Sequence, residues 1–459
     1  MPHELPSEKE CRRLAERALG FATAEDASVS FVFEQASNTR FANNEITTSG
    51  AGDEITVVVT ATKETRTGRV TQNETSDEAL QRAMRRAEEL AGFLPADPEY
   101  VGSLPPQKYL DIRAWDDATA RTGAAERLPG VRAVVEPASK EKMNSSGFST
   151  DSAVVRCVAN KAGNFGWFRS TVATFSATVR TADGTGSGWA EQSAWRAKDM
   201  EFDAVAAKAL RKARESAQPK MLEPGDYTVI LEPAAVASFL GSVGFGLSAR
   251  AAEEGRSFFA KTGGGTRLGE KLFHDSVTLR SDPTDPRRPG LPWGGGGFGG
   301  GGGGGGGGFG GGAEAALATQ PIAWIERGVV TNLSYDRYWA KKSDREPTPP
   351  AGNLVLEGGE ETLESLIGST DRGVLVTNFW YIRSVNPQTL QATGLTRDGV
   401  WWIENGKIQH PVMNFRFNES PAVLLANVLG MTKAVRAGNM VAPAIKASAF
   451  TFSSLSDAV

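Results

Sequence analysis

A catalytic zinc needs imidazole, thiolate or carboxylate ligands, and usually a carboxylate beside it to handle the proton of the attacking water. This chain of 459 residues is poor in the first two. It has three histidines, His3, His274 and His410, and two cysteines, Cys11 and Cys157. His274 stands in KLFHDS and His410 in IQHPV, neither with a second imidazole at metal-ligand spacing, and His3 lies at the amino terminus. Two cysteines build neither a disulfide framework nor a Cys-rich zinc site. Serine and aspartate are plentiful, but no nucleophile–base pair stands out to carry metal-independent hydrolysis.

Other local signals point to binding rather than bond cleavage. GGTRLGEK, from Gly264 to Lys271, has the glycines of a phosphate loop. It lacks the Gly-Lys-Ser/Thr, because Glu270 separates Gly269 from Lys271, so nucleotide binding is not expected. Arg250, Glu253, Glu254 and Arg256 form a charged cluster. It is either a peptide or subunit contact or the exposed end of a helix. Asp371-Arg372, Arg383 and Thr396-Arg397-Asp398 fall in turns between apolar runs, where an arginine can hold a substrate carboxylate or serve the turn. Trp380, Tyr381, Trp401 and Trp402 are expected to divide between core and exposed face, as on any two-sided strand. Arg250, Arg256, Arg383, Arg397 and Trp401 are the candidate binding residues, for a ligand such as a peptide that carries a carboxylate.

The elements that would carry these groups fall into two kinds. Helical spacing marks 7–20, 76–92 with Ser76 as N-cap, about 116–128, and 202–216. Extended runs include 54–61, 131–137, 152–159 and 164–182. Residues 93–108 are proline-rich and read as a linker across the surface. These features make residues 1–221 a mixed α/β domain. From 222 to 459 short β-branched and aromatic runs dominate, with one strong helix candidate at 233–254 and shorter ones at 361–368 and 421–429. That second domain is expected to be β-rich, with a large sheet or barrel, and the chain as a whole α+β. Residues 294–312 are glycine broken by Phe298 and Phe309, a composition expected to form a flexible insertion.

Bulk properties exclude several classes. The net charge of −4 gives no reason to propose nucleic acid, and Arg82, Arg85 and Arg86 read as the solvated face of a helix. The start, MPHELPSEKECRRL, has no apolar core of a signal peptide. The longest uncharged apolar stretch, Pro233 to Ala249, contains Pro, Ser and Gly and falls short of the roughly 20 residues of a spanning helix. A soluble cytoplasmic protein that does not engage a membrane is expected.

Along most of its length the chain resembles the TldD/PmbA (TldE) family of metallopeptidases. The resemblance rests on NTRFANNEITTSG and GRVTQNETSDEALQRAMRRAEELA in the first half. In the second it rests on EEGRSFFA, LGEKLF, SVTLRSDP, IERGVVTNLSYDRYWAKK, GNLVLEGG, TGLTRDGVWWIENGKIQHPV and FTFSSLSDAV. In the family, one helix carries a zinc-binding HExxxH motif. Here the matching helix puts Leu240 at the first His, Gly241 at the Glu and Phe245 at the second His. The family's active chain also draws a cysteine ligand from near its carboxyl terminus, and residues 409–459 contain none. The resemblance therefore implies a metal-free, TldE-like chain with no catalytic residue and no cofactor of its own. Zinc is expected in a TldD-like partner, with the pair degrading unfolded or extended peptides. The alternative is a metal-free homodimer that binds peptides as a scaffold. With Leu240 and Phe245 within about 140° of each other on the helix, both are expected to pack inward.

Overall fold

A computed structural model describes residues 4–294 and 316–456, without the side chains of Ser242 and Phe245. The chain is α+β. Its first half opens with α1 (Glu8–Gly20), then β1 (Asp26–Ala42), β2 (Glu45–Lys63), β3 (Arg66–Gln72) and α2 (Asp77–Phe93). A second round follows: α3 (Asp117–Ala120), α4 (Ala124–Lys140), β4 (Asn144–Asn160), β5 (Phe165–Arg180), β6 (Ser187–Ala194) and α5 (Phe202–Glu215). The six strands form one antiparallel sheet in the order β3-β2-β1-β4-β5-β6.

The helices begin where their caps stand. The Ser7 hydroxyl accepts from the Glu10 N–H while Glu10 returns a bond to the Ser7 N–H at 2.8 Å, and Ser76 accepts from Ala79 at 3.3 Å. Odd-numbered side chains of β4 and β5, such as Val155, Cys157, Phe175 and Val179, face the helices and are buried. Val154, Arg156, Phe168 and Ser170 therefore point from the sheet's other face. Gly68 on β3 and Gly188 on β6 let α2 and α5 approach, since a Cβ at either would collide with helix backbone.

Two stretches depart from the sequence reading. Residues 131–137 lie within α4 and are not a strand. Val131, Val134 and Ala138 bury one face of that helix, so β-branched residues fill a helical stripe and Pro129 and Pro137 are tolerated inside it. Residues 93–108, expected to run across the surface, include the buried Leu104, and Tyr100 and Ser103 both donate to the Asp26 carboxylate. Glu88 on α2 is buried and accepts from the Thr23 N–H at 2.6 Å, the Ala24 N–H at 2.7 Å and the Thr23 hydroxyl at 2.6 Å. Burial raises its carboxyl, but these bonds outweigh it and hold it below the usual range. Its folded value is thus depressed, so its contribution is present above the ordinary carboxylate pKa and lost as pH falls through the folded one. Glu88→Gln is expected to lower stability by about 1–3 kcal/mol at pH 7. Denaturation curves should show that deficit vanishing in acid; a deficit unchanged at low pH would refute the assignment.

The second half begins with β7 (Gly225–Leu231), α6 (Pro233–Gly246) and α7 (Ala249–Glu253), then β8 (Leu279–Ser281), β9 (Ile322–Glu326) and β10 (Val329–Val330). Next come α8 (Arg337–Lys342), β11 (Leu354–Leu356), α9 (Leu363–Gly368), β12 (Arg372–Asn386), β13 (Gln391–Glu404), β14 (Lys407–Pro411) and β15 (Phe415–Glu419). The half ends with α10 (Pro421–Ala426), β16 (Val428–Met431), β17 (Val435–Ala437), β18 (Met440–Ala442) and β19 (Ile445–Leu455). Strands β12, β7, β19, β15 and β13 pair in that order, and β13 pairs back to β12, closing a five-stranded barrel. A second sheet runs β10-β9-β8-β11-β18-β17.

Phe379, Phe417 and Phe450 come from three barrel strands and meet Phe239 of α6, with ring centroids 5.6–5.7 Å from it. The helix expected at 233–254 is two helices, broken at Leu247 and Ser248, because Ser248 caps α7 and the Ser334 N–H donates to the Leu247 carbonyl at 2.7 Å. The glycine run 294–312 lies, beyond Gly294, outside the described residues.

Candidate functional site

Helix α6 is placed by charge at its start. Glu232 is its N-cap residue, Pro233 occupies the first turn, and the Glu232 N–H donates to the Val376 carbonyl at 3.0 Å. The Glu232 carboxylate, 4% exposed, meets Lys212 at 2.7 Å and Lys208 at 2.8 Å, both from α5 of the first half. Lys212, 1% exposed, also donates to the Thr377 hydroxyl at 3.1 Å. Burial raises the carboxyl of Glu232, yet Lys212 and Lys208 more than offset it, and it stays below its usual range. Burial pushes Lys212 down to about 8 while Glu232 pulls it upward. A negative side chain here also suits the helix's positive end.

Along α6, Leu240 is fully buried in the core of the second half, with Val236, Phe239 and Val243. Gly241 is half-buried and has open space where a Cβ would stand. The side chain of Phe245 lies outside the described residues. His274 is exposed, its ring bonded to the Ser276 hydroxyl at 2.8 Å, and His410 lies on β14 beside Trp402 of β13. Among the described residues, no three His, Cys, Asp or Glu side chains converge as zinc ligands would. The donor set on and around α6 thus does not fit the metal that the motif would hold.

The five candidate peptide-binding residues do not come together. Arg250 is half-buried, held by Glu99 at 2.6 and 2.8 Å and by Glu254 at 3.1 Å, above the Trp339 ring. Arg256 is exposed and pairs with Glu254. Arg383 and Thr396-Arg397-Asp398 do not fall in turns as expected but lie within β12 and β13, because the two strands pair through them. Arg383 and Arg397 stand over the rings of Tyr381 at 4.3 Å and Trp380 at 4.5 Å. Those two aromatics are exposed. Trp401 is 3% exposed: its indole N–H donates to the Glu215 carbonyl at 3.2 Å and its ring packs with Leu366 and Ile403. GGTRLGEK lies in turns with no helix after it before β8, so it has not the setting of a phosphate loop.

Sequence reasoning passed over a cavity of about 560 Å³ beside α6. Arg156, Phe168 and Ser170 line it from the helix-free face of the first sheet, Gly244 and Ser248 from α6 and the turn beyond, and Arg288 and Trp293 from the chain after β8. Among the described residues, no Asp or Glu lines it. Burial lowers Arg156 from its usual range, with Glu34 opposing that shift. Burial also pushes Arg288 down to about 10, helped by the positive Arg436. Arg288 donates to the Asn353 side-chain oxygen. One signal for Arg156 was in the sequence: it interrupts the apolar run AVVRCVA, so a period of two sets it opposite the buried Cys157. Nothing local marks Arg288, which sits between prolines in DPRRPG.

Three family models match the chain: PmbA/TldA metallopeptidase domain 1 over residues 27–91, the central domain over 122–217 and the C-terminal domain over 224–454. Among solved structures, TldE from Thermococcus kodakarensis is 17% identical, with 96% of this chain and 99% of that one covered and a TM-score of 0.82. A proposed modulator of DNA gyrase from Bacteroides thetaiotaomicron is 20% identical, with coverage of 98% and 100% and a TM-score of 0.83. A second proposed gyrase modulator, from Thermotoga maritima, is 16% identical, with coverage of 96% and 100% and a TM-score of 0.81. At these identities the likeness concerns the fold. No curated protein matches the chain. The matched models span both halves and carry the assignment that the fold agrees with: the chain belongs to the PmbA/TldD metallopeptidase family.

Proposed function

We propose that this chain is the metal-free, TldE-like subunit of a TldD/PmbA-type metallopeptidase. It works in the cytoplasm beside a metal-bearing TldD-like chain, and the pair acts on unfolded or extended peptides. The observation that carries this reading is Leu240, fully buried at the motif's first ligand position, with Gly241 at the position of its carboxylate. Leucine and glycine neither ligate zinc nor accept a proton. A free strand edge supports the extended-peptide part. β2 pairs with β1 along its length, but β3 covers it only from Val57 onward, leaving 45–56 with one paired side. Such an edge reads main chain rather than side chains, which suits substrates of many sequences. Among the described residues, no helix is long and apolar enough to cross a membrane.

The test is metal content and co-purification. The purified chain should hold no stoichiometric zinc and cleave no peptide. Tagged and expressed in its own cell, it should bring down a TldD-like chain with an intact HExxxH at equal stoichiometry. A stable homodimer without such a partner would favour the peptide-binding scaffold instead. Tightly bound zinc, lost on substituting His274 or His410, would refute both readings.

A further inference from the structure

We propose that the cavity between the first sheet and α6 is a binding site for an organic carboxylate with an apolar body, the class to which a peptide's C-terminal residue belongs. The inference goes beyond the subunit assignment and does not require the partner chain. Its starting point is charge without compensation. Arg156 and Arg288 both face the cavity, and among the described residues no carboxylate lines it and neither forms an ion pair. Both guanidiniums are half-buried, and a partly desolvated cation without a counter-charge gains from a bound anion. Glu34 reaches Arg156 only as a longer-range charge.

The walls choose among anions. Leu291, Ile322 and Pro289, with the edges of Phe168 and Trp293, give apolar surface around the two cations. Inorganic phosphate would leave that surface uncovered, whereas a carboxylic acid with an aromatic or aliphatic side chain would cover it. The guanidinium fork matches a planar carboxylate with two parallel N–H···O bonds. Ser170 and Ser248 hydroxyls and the Gln320 amide on the same walls are available to an amide group of the ligand. The volume of about 560 Å³ falls within the size of small-molecule sites.

The site is tested on the full chain by calorimetry and by the fluorescence of Trp293 and Trp324. The probes are N-acetyl-phenylalanine, its C-terminal amide, the tripeptide acetyl-Ala-Ala-Phe and inorganic phosphate. N-acetyl-phenylalanine is expected to bind roughly 10- to 100-fold more tightly than its amide, the worth of one charge-assisted contact. Arg156→Gln and Arg288→Gln should each reduce that binding at least about tenfold without lowering the melting temperature. Tripeptide binding at similar strength assigns the site to peptide C-termini, and exclusion of the tripeptide assigns it to free acids. The acid-versus-amide comparison uses the unaltered protein, so it decides the matter even if a variant misfolds. Equal binding of acid and amide, no binding of the acid, or phosphate binding as tightly as the acid would each overturn the proposal. None of these outcomes bears on whether a TldD-like chain co-purifies.

Discussion

Glu232→Gln is expected to destabilise the chain by about 3–5 kcal/mol at pH 7, and by roughly 1 kcal/mol less at pH 9. The substitution removes the one carboxylate that faces Lys212, whose side chain is 1% exposed, and leaves an ammonium without a counter-charge. The pH dependence follows from the proton. Lys212 sits at about 8 in the fold, below the ordinary ~10.4 of an unfolded lysine. Below pH 8 it is charged and depends on Glu232. As pH rises past 8 the folded protein sheds that proton first, and the dependence fades. Glu232 itself is held low, so its own contribution persists down to the acid range and is lost as pH falls through its folded value. Lys212→Met combined with Glu232→Gln removes the buried charge altogether and should recover most of the loss. Denaturant titrations at pH 6, 7 and 9 measure all three. A deficit of the single variant that is the same at every pH, or that the double variant deepens, would show that the pair is not what anchors α6.

The second large effect concerns the motif. Leu240→His, Gly241→Glu and Phe245→His together rewrite HExxxH on α6. The triple variant is expected to lose roughly 3–5 kcal/mol and to bind no stoichiometric zinc. The loss arises at Leu240, where an imidazole would replace a fully buried side chain among phenylalanine and valine. Gly241→Glu meets open space and adds little strain. Two imidazoles on one helix would still lack a third ligand, since His274 is exposed beside Ser276, His410 stands on β14, and Cys11 and Cys157 are buried in the first half. Melting curves and metal analysis read both parts. Zinc bound at one equivalent with peptide cleavage would mean that the site is latent and that α6 is not held by packing.

Much of this architecture could be read from residues in sequence. The helices at Glu8–Gly20, Asp77–Phe93 and Phe202–Glu215 carry apolar stripes at helical spacing, and serine caps open the first two. The shift at about residue 222 to short β-branched runs foretold a β-rich second half, and the barrel is its form. What escaped was set by tertiary contact. β2 extends back to Glu45 through TTSGAGD, a polar and exposed run that no periodicity marks; its register with β1 holds it extended. α4 runs through two prolines and a valine-rich stretch because its buried face decides, against local propensity. In the site, the HExxxH-like positions Leu240, Gly241 and Phe245 could be named from sequence because they are contiguous. The Glu232–Lys212–Lys208 cluster could not: the two lysines share a face of α5, but Glu232 precedes α6 in the other half and nothing in the spacing joins it to them. The same holds for Arg156 and Arg288, which only folding brings to one cavity.

The meeting of Phe239 with Phe379, Phe417 and Phe450 bears on where a peptide can travel. A ring of five strands encloses little space, and here that space is occupied by aromatic rings from the strands and from a helix driven in among them. The barrel is therefore a stopper and not a conduit. On the proposed function, an extended chain would pass around it, along the edge of β2 or past the rim where α6 emerges. The metal of the proposed partner would then stand on that outer route.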